Sequence, residues 1–327
     1  MPSTFSSRLR QEQAYDLRLR NYTYQQIADA LGYAGGSAAC QAVRAAERRG
    51  YRGTTTSAPN AAPNNAQASG RTFGVEIEFS SLDGRAAAQA ISDAGVTCTY
   101  EGYTHRVCGD WKIVSDSTCG YEAVSPILFG EDGYAQVRKV VAALSAAGAT
   151  VNTNCGMHVH HGADDLNGEQ LASLFELYAS HFNAIDHLVA PSRRANSNRW
   201  CKRFRRGELS KIVDALRSRR DSVRDGSLPT WNLLSARDDR YRHINLCSFP
   251  KYGTIEIRQH QGTLNGDKAV AWIKFGQALV QAAIDGGASR VPNTVFEMIN
   301  TLRSNHGLDA DSAGFLVERA MHFAATE

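Results

Sequence analysis

The chain has 327 residues, 43% hydrophobic and 21% charged, which fits a soluble globular protein of one large domain or two. No run of 18 apolar residues occurs, which argues against a membrane span, and the opening MPSTFSSRLRQEQAYDLRLR lacks the apolar core of a signal peptide. The net charge of +3 is uneven, with eight arginines against four acids in residues 1–52 and eleven Lys and Arg against Glu208 and Asp214 in residues 193–220.

Residues 1–52 read as a three-helix module. The first helix carries Leu9, Ala14 and Leu17. TYQQIADALGY follows, with Thr23 and Gln26 spaced as a capping box and Ile27, Ala30 and Leu31 inward. Ala34, Gly35 and Gly36 make a turn, and Ser37 is expected to cap a third helix that presents Gln41, Arg44 and Arg48. Helix, short glycine turn and helix is the helix-turn-helix pattern, and it resembles the modules of site-specific recombinases and sigma factors. Nucleic acid is the expected partner of this basic module. The competing reading is a docking or dimerisation unit, which would make the chain a homo-oligomer. Residues 53–70, GTTTSAPNAAPNNAQASG, have almost no apolar bulk to offset ordering entropy and read as a flexible linker.

Residues 71–327 alternate strand-like and helix-like segments. RTFGVEIEFSSL alternates with period two, so Val75, Ile77 and Phe79 face one way and Glu76 and Glu78 the other. A helix at 85–94 is followed by two or three strands near 96–128, then the amphipathic helix YAQVRKVVAALSAAG, then the strand CGMHVHHG. Helices at 168–190 and 207–222 precede YRHINLCSF and GTIEIRQHQG, which read as a hairpin around Pro250–Gly253. Helices at 267–285, 293–303 and 311–324 complete the pattern. The expected fold class is α+β with a largely antiparallel sheet. Seven cysteines, an odd number without regular spacing, predict reduced thiols rather than a disulfide framework, and with them a cytoplasmic protein.

Four strands place polar groups on one face: Glu76 and Glu78, Asp116 and Glu122, His158 and His160, and Glu256 and Arg258, with His161 on the reverse face. Each pair alone has a plain reading, since an E-x-E strand is usually a solvated sheet edge and E-I-R a surface ion pair. Converging in one sheet, the carboxylates would raise one another's pKa, and divalent cations resolve that conflict. Mg²⁺ and Mn²⁺ suit carboxylate oxygens with one imidazole among them, and such a site handles polyphosphate. Cys155 and His158 lack a second C-x₂-C or H-x₃-H partner, which argues against zinc.

GVEIEF, WKIVSDSTCGYEAVSP, CGMHVHHG, PSRRANSNRWC and INL…GTIEIRQHQGTLN resemble, in this order, segments of the amidoligase family. That family is a branch of the glutamine synthetase and glutamate–cysteine ligase superfamily, and the resemblance spans roughly residues 71–325. It implies the catalytic sheet of that superfamily and an ATP-dependent ligase joining a carboxylate to an amine through an acyl phosphate. The substrates would be small molecules, peptides or modified nucleotides. It implies two or more Mg²⁺ or Mn²⁺ ions, the first held by Glu78, Asp116 and Glu122, the second by Glu76, His158 and Glu256. His160 would lie near the nucleotide phosphates with Arg193 and Arg194, while Arg258 would hold phosphate or acyl substrate, with Arg242 as a looser match to an active-site arginine. Asp116 departs from the pattern, standing where larger relatives have glutamate. Two other functions use the same residues: a metal-dependent hydrolase or nuclease, and a nucleic-acid-binding regulator without catalysis.

Overall fold

The computed structural model describes residues 11, 14–15, 18, 23–31, 33–49, 70–104, 108–195, 197–205, 207–218, 239–286 and 291–326. The expected linker lies outside the described residues except for its last residue, as do Leu9 and Leu17 of the first expected helix.

In the N-terminal module, α1 (Tyr24–Leu31) and α2 (Gly36–Arg48) pack together around Ala14, Ile27, Ala28, Ala39, Ala42 and Val43, a small core separate from that of the main body. The capping box forms: Gln26 N–H donates to Thr23 Oγ1 (3.1 Å) and Thr23 N–H donates to Gln26 Oε1 (2.7 Å). Ser37 does not cap α2. That helix begins one residue earlier with Gly35 at its N-cap and no side-chain cap. Gln41, Arg44 and Arg48 are exposed on its outer face.

The body is a mixed sheet with helices on one side. The strands are β1 (Phe73–Phe79), β2 (Cys98–Gly102), β3 (Trp111–Asp116), β4 (Gly120–Val124), β5 (Gly156–Gly162), β6 (Ile244–Asn245) and β7 (Thr254–Gln261). They run in the order β2-β3-β4-β1-β5-β7-β6, antiparallel except for β2 beside β3. The hairpin expected at Pro250–Gly253 is present, but its connection is a one-turn helix, α8 (Phe249–Tyr252), and its first strand is only two residues long.

The apolar halves of the alternating strands set which side the helices take. Val75, Ile77, Phe79, Ile113, Ala123, Val159, Ile255 and Ile257 are all at most 1% exposed. They form one core with α3 (Gly84–Asp93), α4 (Gly130–Ala146), α5 (Gly168–Ser180) and α9 (Gly266–Ile284). Between α5 and α9 lie α6 (Phe182–Asp186) and α7 (Glu208–Arg217), and α10 (Val295–Asn305) and α11 (Ala310–Thr326) pack outside α9. α9 crosses so close beneath β5 that a Cβ at Gly276 would stand 2.2 Å from His161 Nε2, which makes glycine obligatory there. The opposite face of the sheet, with its polar half of each strand, forms the floor of a cavity.

Two core imidazoles make the fold acid-sensitive. His243, fully buried and edge-on to Phe182 at 5.3 Å, is pushed down to about 3 by burial and by the nearby Arg203 charge. His161 is likewise pushed down to about 3, by burial and by Arg71. Unfolded rings take up protons near pH 6.5, so between about 6.5 and 3 the unfolded state binds more protons than the folded one. Stability is then complete above that window and lost as pH falls through it, by on the order of a few kcal/mol per ring. His243→Gln is expected to flatten the acid limb of a denaturation profile between pH 6 and about 4. An unchanged slope would remove His243 from this account.

Candidate active site

Strand register brings the polar residues together. Glu76 lies directly opposite His158, Glu78 opposite Glu122, His160 opposite Glu256, and Glu256 opposite Asn245. All share the face opposite the core, because each neighbours in sequence a residue whose side chain is buried in the core.

His158 is the hub. Its Nδ1 lies 3.0 Å from Glu76 Oε2, 3.9 Å from Glu122 Oε1 and 4.0 Å from Glu256 Oε1, and its Nε2 lies 3.5 Å from Glu78 Oε1. His160 Nε2 reaches Glu76 Oε1 at 3.3 Å. Glu78 accepts the Gly156 N–H at 2.6 Å. A Cβ on Gly156 would meet His158 Nε2 at 2.9 Å and Arg193 Nη1 at 3.1 Å, so this strand entry has no room for a larger residue. Glu256 accepts from Asn245 Nδ2 at 2.9 Å and from Arg258 Nη1, while Arg258 Nε also points at the Trp200 carbonyl at 3.4 Å.

The charges are unevenly settled. Burial, then the charges of Glu76, Glu78 and Asp116, push the Glu122 carboxyl well above the usual carboxylate range. Burial also opposes the charge of Glu76, but hydrogen bonds from His158 and His160 hold it well below that range. Glu256 is buried too, and Arg258 and His160 keep its carboxyl low. His160 is raised against its own burial by the Glu76 carboxylate. At Glu122, burial and the neighbouring carboxylates outweigh the Arg258 charge and disfavour the anion.

Among the described residues, two groups have ligand atoms within 4.8 Å of one another: Glu76, His158 and Glu256, and Glu78, Glu122 and His158. The first is the set expected for the second metal. The other differs from expectation, since His158 joins it and Asp116 does not. The short Asp116 side chain turns back on its own loop, where Oδ1 accepts from Thr118 N, Thr118 Oγ1 and Cys119 N. Asp116 borders the cavity without entering the group around His158.

The cavity has a volume of about 1980 Å³ and is bordered by Arg193, Trp200, Tyr241 and Arg258 as well as the cluster. This exceeds the roughly 300–1,000 Å³ of a single small-molecule pocket and gives room for two reactants. Arg193 is 1% exposed and donates to the Asn154 carbonyl at 3.1 Å, beside the entry to β5. Arg194 and Arg242 are not brought to the cavity. Arg194 lies over the Phe323 ring (4.6 Å) and donates to the Val189 carbonyl, and Arg242 donates to Glu208 Oε1 at 2.7 Å. Both are turned away by partners distant in sequence. The sequence reading also missed Asn245, which steadies Glu256, and Lys112, a cation on the cavity wall that is only 3% exposed. Asn245 sits within the quoted INL segment, and the alternation Trp111-Lys112-Ile113 already placed Lys112 on the polar face.

The expectation of reduced thiols is corrected at one pair. Cys119 and Cys155 form a disulfide, which ties the β3–β4 turn to the entry of β5, and five other cysteines are free. The two are 36 residues apart but meet because β3–β4 and β5 flank β1. This removes the cysteine ground for a cytoplasmic location. Among the described residues no helix is long and apolar enough to cross a membrane.

Comparison with protein-family models matches residues 69–280 to the family described as "putative amidoligase enzyme". No curated protein matches the chain. The matched stretch is more than half of the 327 residues and contains both acid–histidine groups, and the chain belongs to this amidoligase family.

Proposed function

We propose that this chain is an ATP-dependent carbon–nitrogen ligase that forms an amide through an acyl phosphate. The observation that carries the reading is the pair of acid–histidine groups sharing His158, beside a buried arginine, in a cavity large enough for two reactants. The donor set fits hard divalent cations: carboxylate oxygens with one imidazole, and a Glu122 carboxyl raised well above the usual range by burial and the neighbouring Glu76, Glu78 and Asp116 charges. Mg²⁺ or Mn²⁺ held by Glu76 and Glu256 and by Glu78 and Glu122, with the His158 imidazole serving one of the two pairs at a time, would supply charge compensation for a polyphosphate.

The chain's own residues then have definite tasks. Arg258 is oriented by Glu256 and the Trp200 carbonyl and presents positive charge to phosphoryl or carboxylate oxygens. His160, whose pKa is raised against its burial by the Glu76 carboxylate, adds an imidazole on the same face. Arg193, anchored at the Asn154 carbonyl, supports the same wall. The substrate carboxylate attacks the γ-phosphorus of ATP and ADP leaves. The amine then attacks the acyl carbon, loses a proton and expels inorganic phosphate.

The test is incubation with ATP, Mg²⁺ and pools of candidate acids and amines, read by mass spectrometry and ADP release. The expected product has the mass of acid plus amine minus water, formed with one ADP per amide. Nucleotide or ester hydrolysis that never requires an amine would select the hydrolase instead. Divalent cation near 100 times its Kd is expected to stabilise the fold by about 2.7 kcal/mol, and more with ATP present. Glu122→Gln should raise the Tm of the metal-free protein and shrink its response to Mg²⁺. A Tm indifferent to Mg²⁺ and Mn²⁺ in both proteins would remove the cations from the proposal.

The N-terminal module is proposed to bind nucleic acid through α2, whose Gln41, Arg44 and Arg48 are exposed together. Binding of duplex DNA by the full chain should fall steeply with salt and weaken in Arg44→Ala and Arg48→Ala. Absence of binding at low salt would leave docking as the role of the module.

A further inference from the structure

The module does more than follow the body on a tether. Among the described residues its apolar core is separate from that of the body, and an ion pair joins the two. Arg18 Nη1 donates to Asp164 Oδ2 at 3.1 Å, and the Asp164 side chain is 1% exposed. Asp164 follows the end of β5, the strand that carries His158 and His160. The next residue, Asp165, is held by two bonds from Arg71 at 2.7 and 3.0 Å, and Arg71 also donates to the Gly162 carbonyl. Adjacent carboxylates thus have separate duties. Asp165 ties the start of β1 to the end of β5, and Asp164 receives the module.

The same Arg18 guanidinium lies over the Tyr24 ring at 4.9 Å, so the docking contact also positions the first residue of α1. Around Tyr24, the residues Thr23, Gln25 and Gln26 border the cavity that holds the acid–histidine cluster. This turn is pre-organised. Thr23 and Gln26 close the capping box, and Gln25 Oε1 accepts the Gly36 N–H at 3.1 Å, which joins the turn to α2. A pre-organised polar edge therefore borders the cavity, and the Arg18–Asp164 ion pair joins the module that carries it to the body.

We infer that the N-terminal module is a docked wall of the active-site cavity, with Thr23, Gln25 and Gln26 as specificity-determining residues and Arg18–Asp164 as the positioning contact. The inference of specificity rests on the ligase reading, whereas docking does not. The wall is made of neutral amide and hydroxyl groups, so the reactant it borders is one that hydrogen-bonds, such as a peptide-like or nucleobase-bearing acceptor, rather than an apolar chain. Among the described residues the ion pair joins two separate apolar cores and is partly exposed on the arginine side, so its charges are open to exchange with those of a ligand. Nucleic acid on the exposed face of α2 would then be held beside the cavity.

The test uses the full chain with Arg18→Glu, Asp164→Arg, the milder Asp164→Asn, and the charge-swapped double variant, followed by hydrogen exchange. Each single variant is expected to speed exchange about tenfold in residues 23–31 and 160–166, and the double swap to restore protection. Unchanged exchange in residues 39–46 would show that the module core stays folded. Identical exchange at both segments in wild type and single variants would overturn docking. With a substrate identified by its product mass, Gln25→Ala and Gln26→Ala should raise the KM of one reactant about tenfold and leave that of ATP unchanged. Protection that responds to the charge swap without any change in KM or substrate preference would overturn the specificity role while leaving docking in place. If the wild type forms no amide with any pool, the ligase reading fails, and the specificity role with it, while the exchange data still decide docking.

Discussion

Glu256→Gln and His158→Ala are expected to lower turnover by at least about 10²-fold each, the scale of losing a major electrostatic contributor in a closed site. His158 is the only residue in both acid–histidine groups found among the described residues, so its removal affects both. Glu256 meets His158, Asn245 and Arg258 at once. Glutamine keeps its size and its bond from Asn245 while deleting the charge. Alanine is a poorer choice at this position. It would remove the acceptor shared by Arg258 and Asn245 as well as the charge, and a buried donor left unsatisfied costs about 1–3 kcal/mol. Turnover is measured on the product identified by mass, with circular dichroism and Tm as controls for folding. Glu131→Gln, which removes an exposed partner of Lys274 remote from the cluster, should stay within about twofold. Folded Glu256→Gln and His158→Ala proteins that both turn over at near wild-type rates would sink the assignment of the cluster.

Opening the Cys119–Cys155 disulfide is the change with the largest expected effect on stability. The bridge closes a loop of 36 residues, which in the chain-entropy treatment contributes about 4 kcal/mol. For a body of this size that corresponds to a fall in Tm on the order of 10 °C. The damage should not stop at stability. Cys155 precedes Gly156, whose N–H holds Glu78, so one end of the bridge lies one step from the cluster, while Cys119 N–H holds Asp116 at the cavity border. Cys119→Ser and dithiol reduction are expected to lower Tm alike and to weaken the response to Mg²⁺. Thiol titration in denaturant should find five free thiols before reduction and seven after it. Seven thiols before reduction, or a Tm indifferent to reduction, would contradict the bridge.

Local alternation was enough to show which residues of each strand share a face. Val75, Ile77 and Phe79 are buried in the core and Glu76 and Glu78 line the cavity, because successive side chains in a strand must point to opposite sides. The Thr23–Gln26 capping box was legible for the same reason, since it closes over three residues. The ordered motifs carried the family, and the family match covers the residues that hold them.

What a short stretch does not contain is register and long-range approach. That Glu76 meets His158 while Glu78 meets Glu122 follows from how three strands slide against one another to bury their apolar halves. Asp116 satisfies its own turn, and Arg194 and Arg242 are claimed by Phe323 and Glu208. None of these outcomes has a local signature, because each depends on which partner packing brings within reach. The same holds for Cys119 with Cys155, and for Arg18 with Asp164, 146 residues apart. Sequence by itself determined the chemistry available on each strand face and its family, through periodicities of two and 3.6 residues that act within a segment. Tertiary structure alone decided which of those groups share a centre, because the free energy that selects register and docking comes from apolar burial and charge pairing between segments distant in the chain.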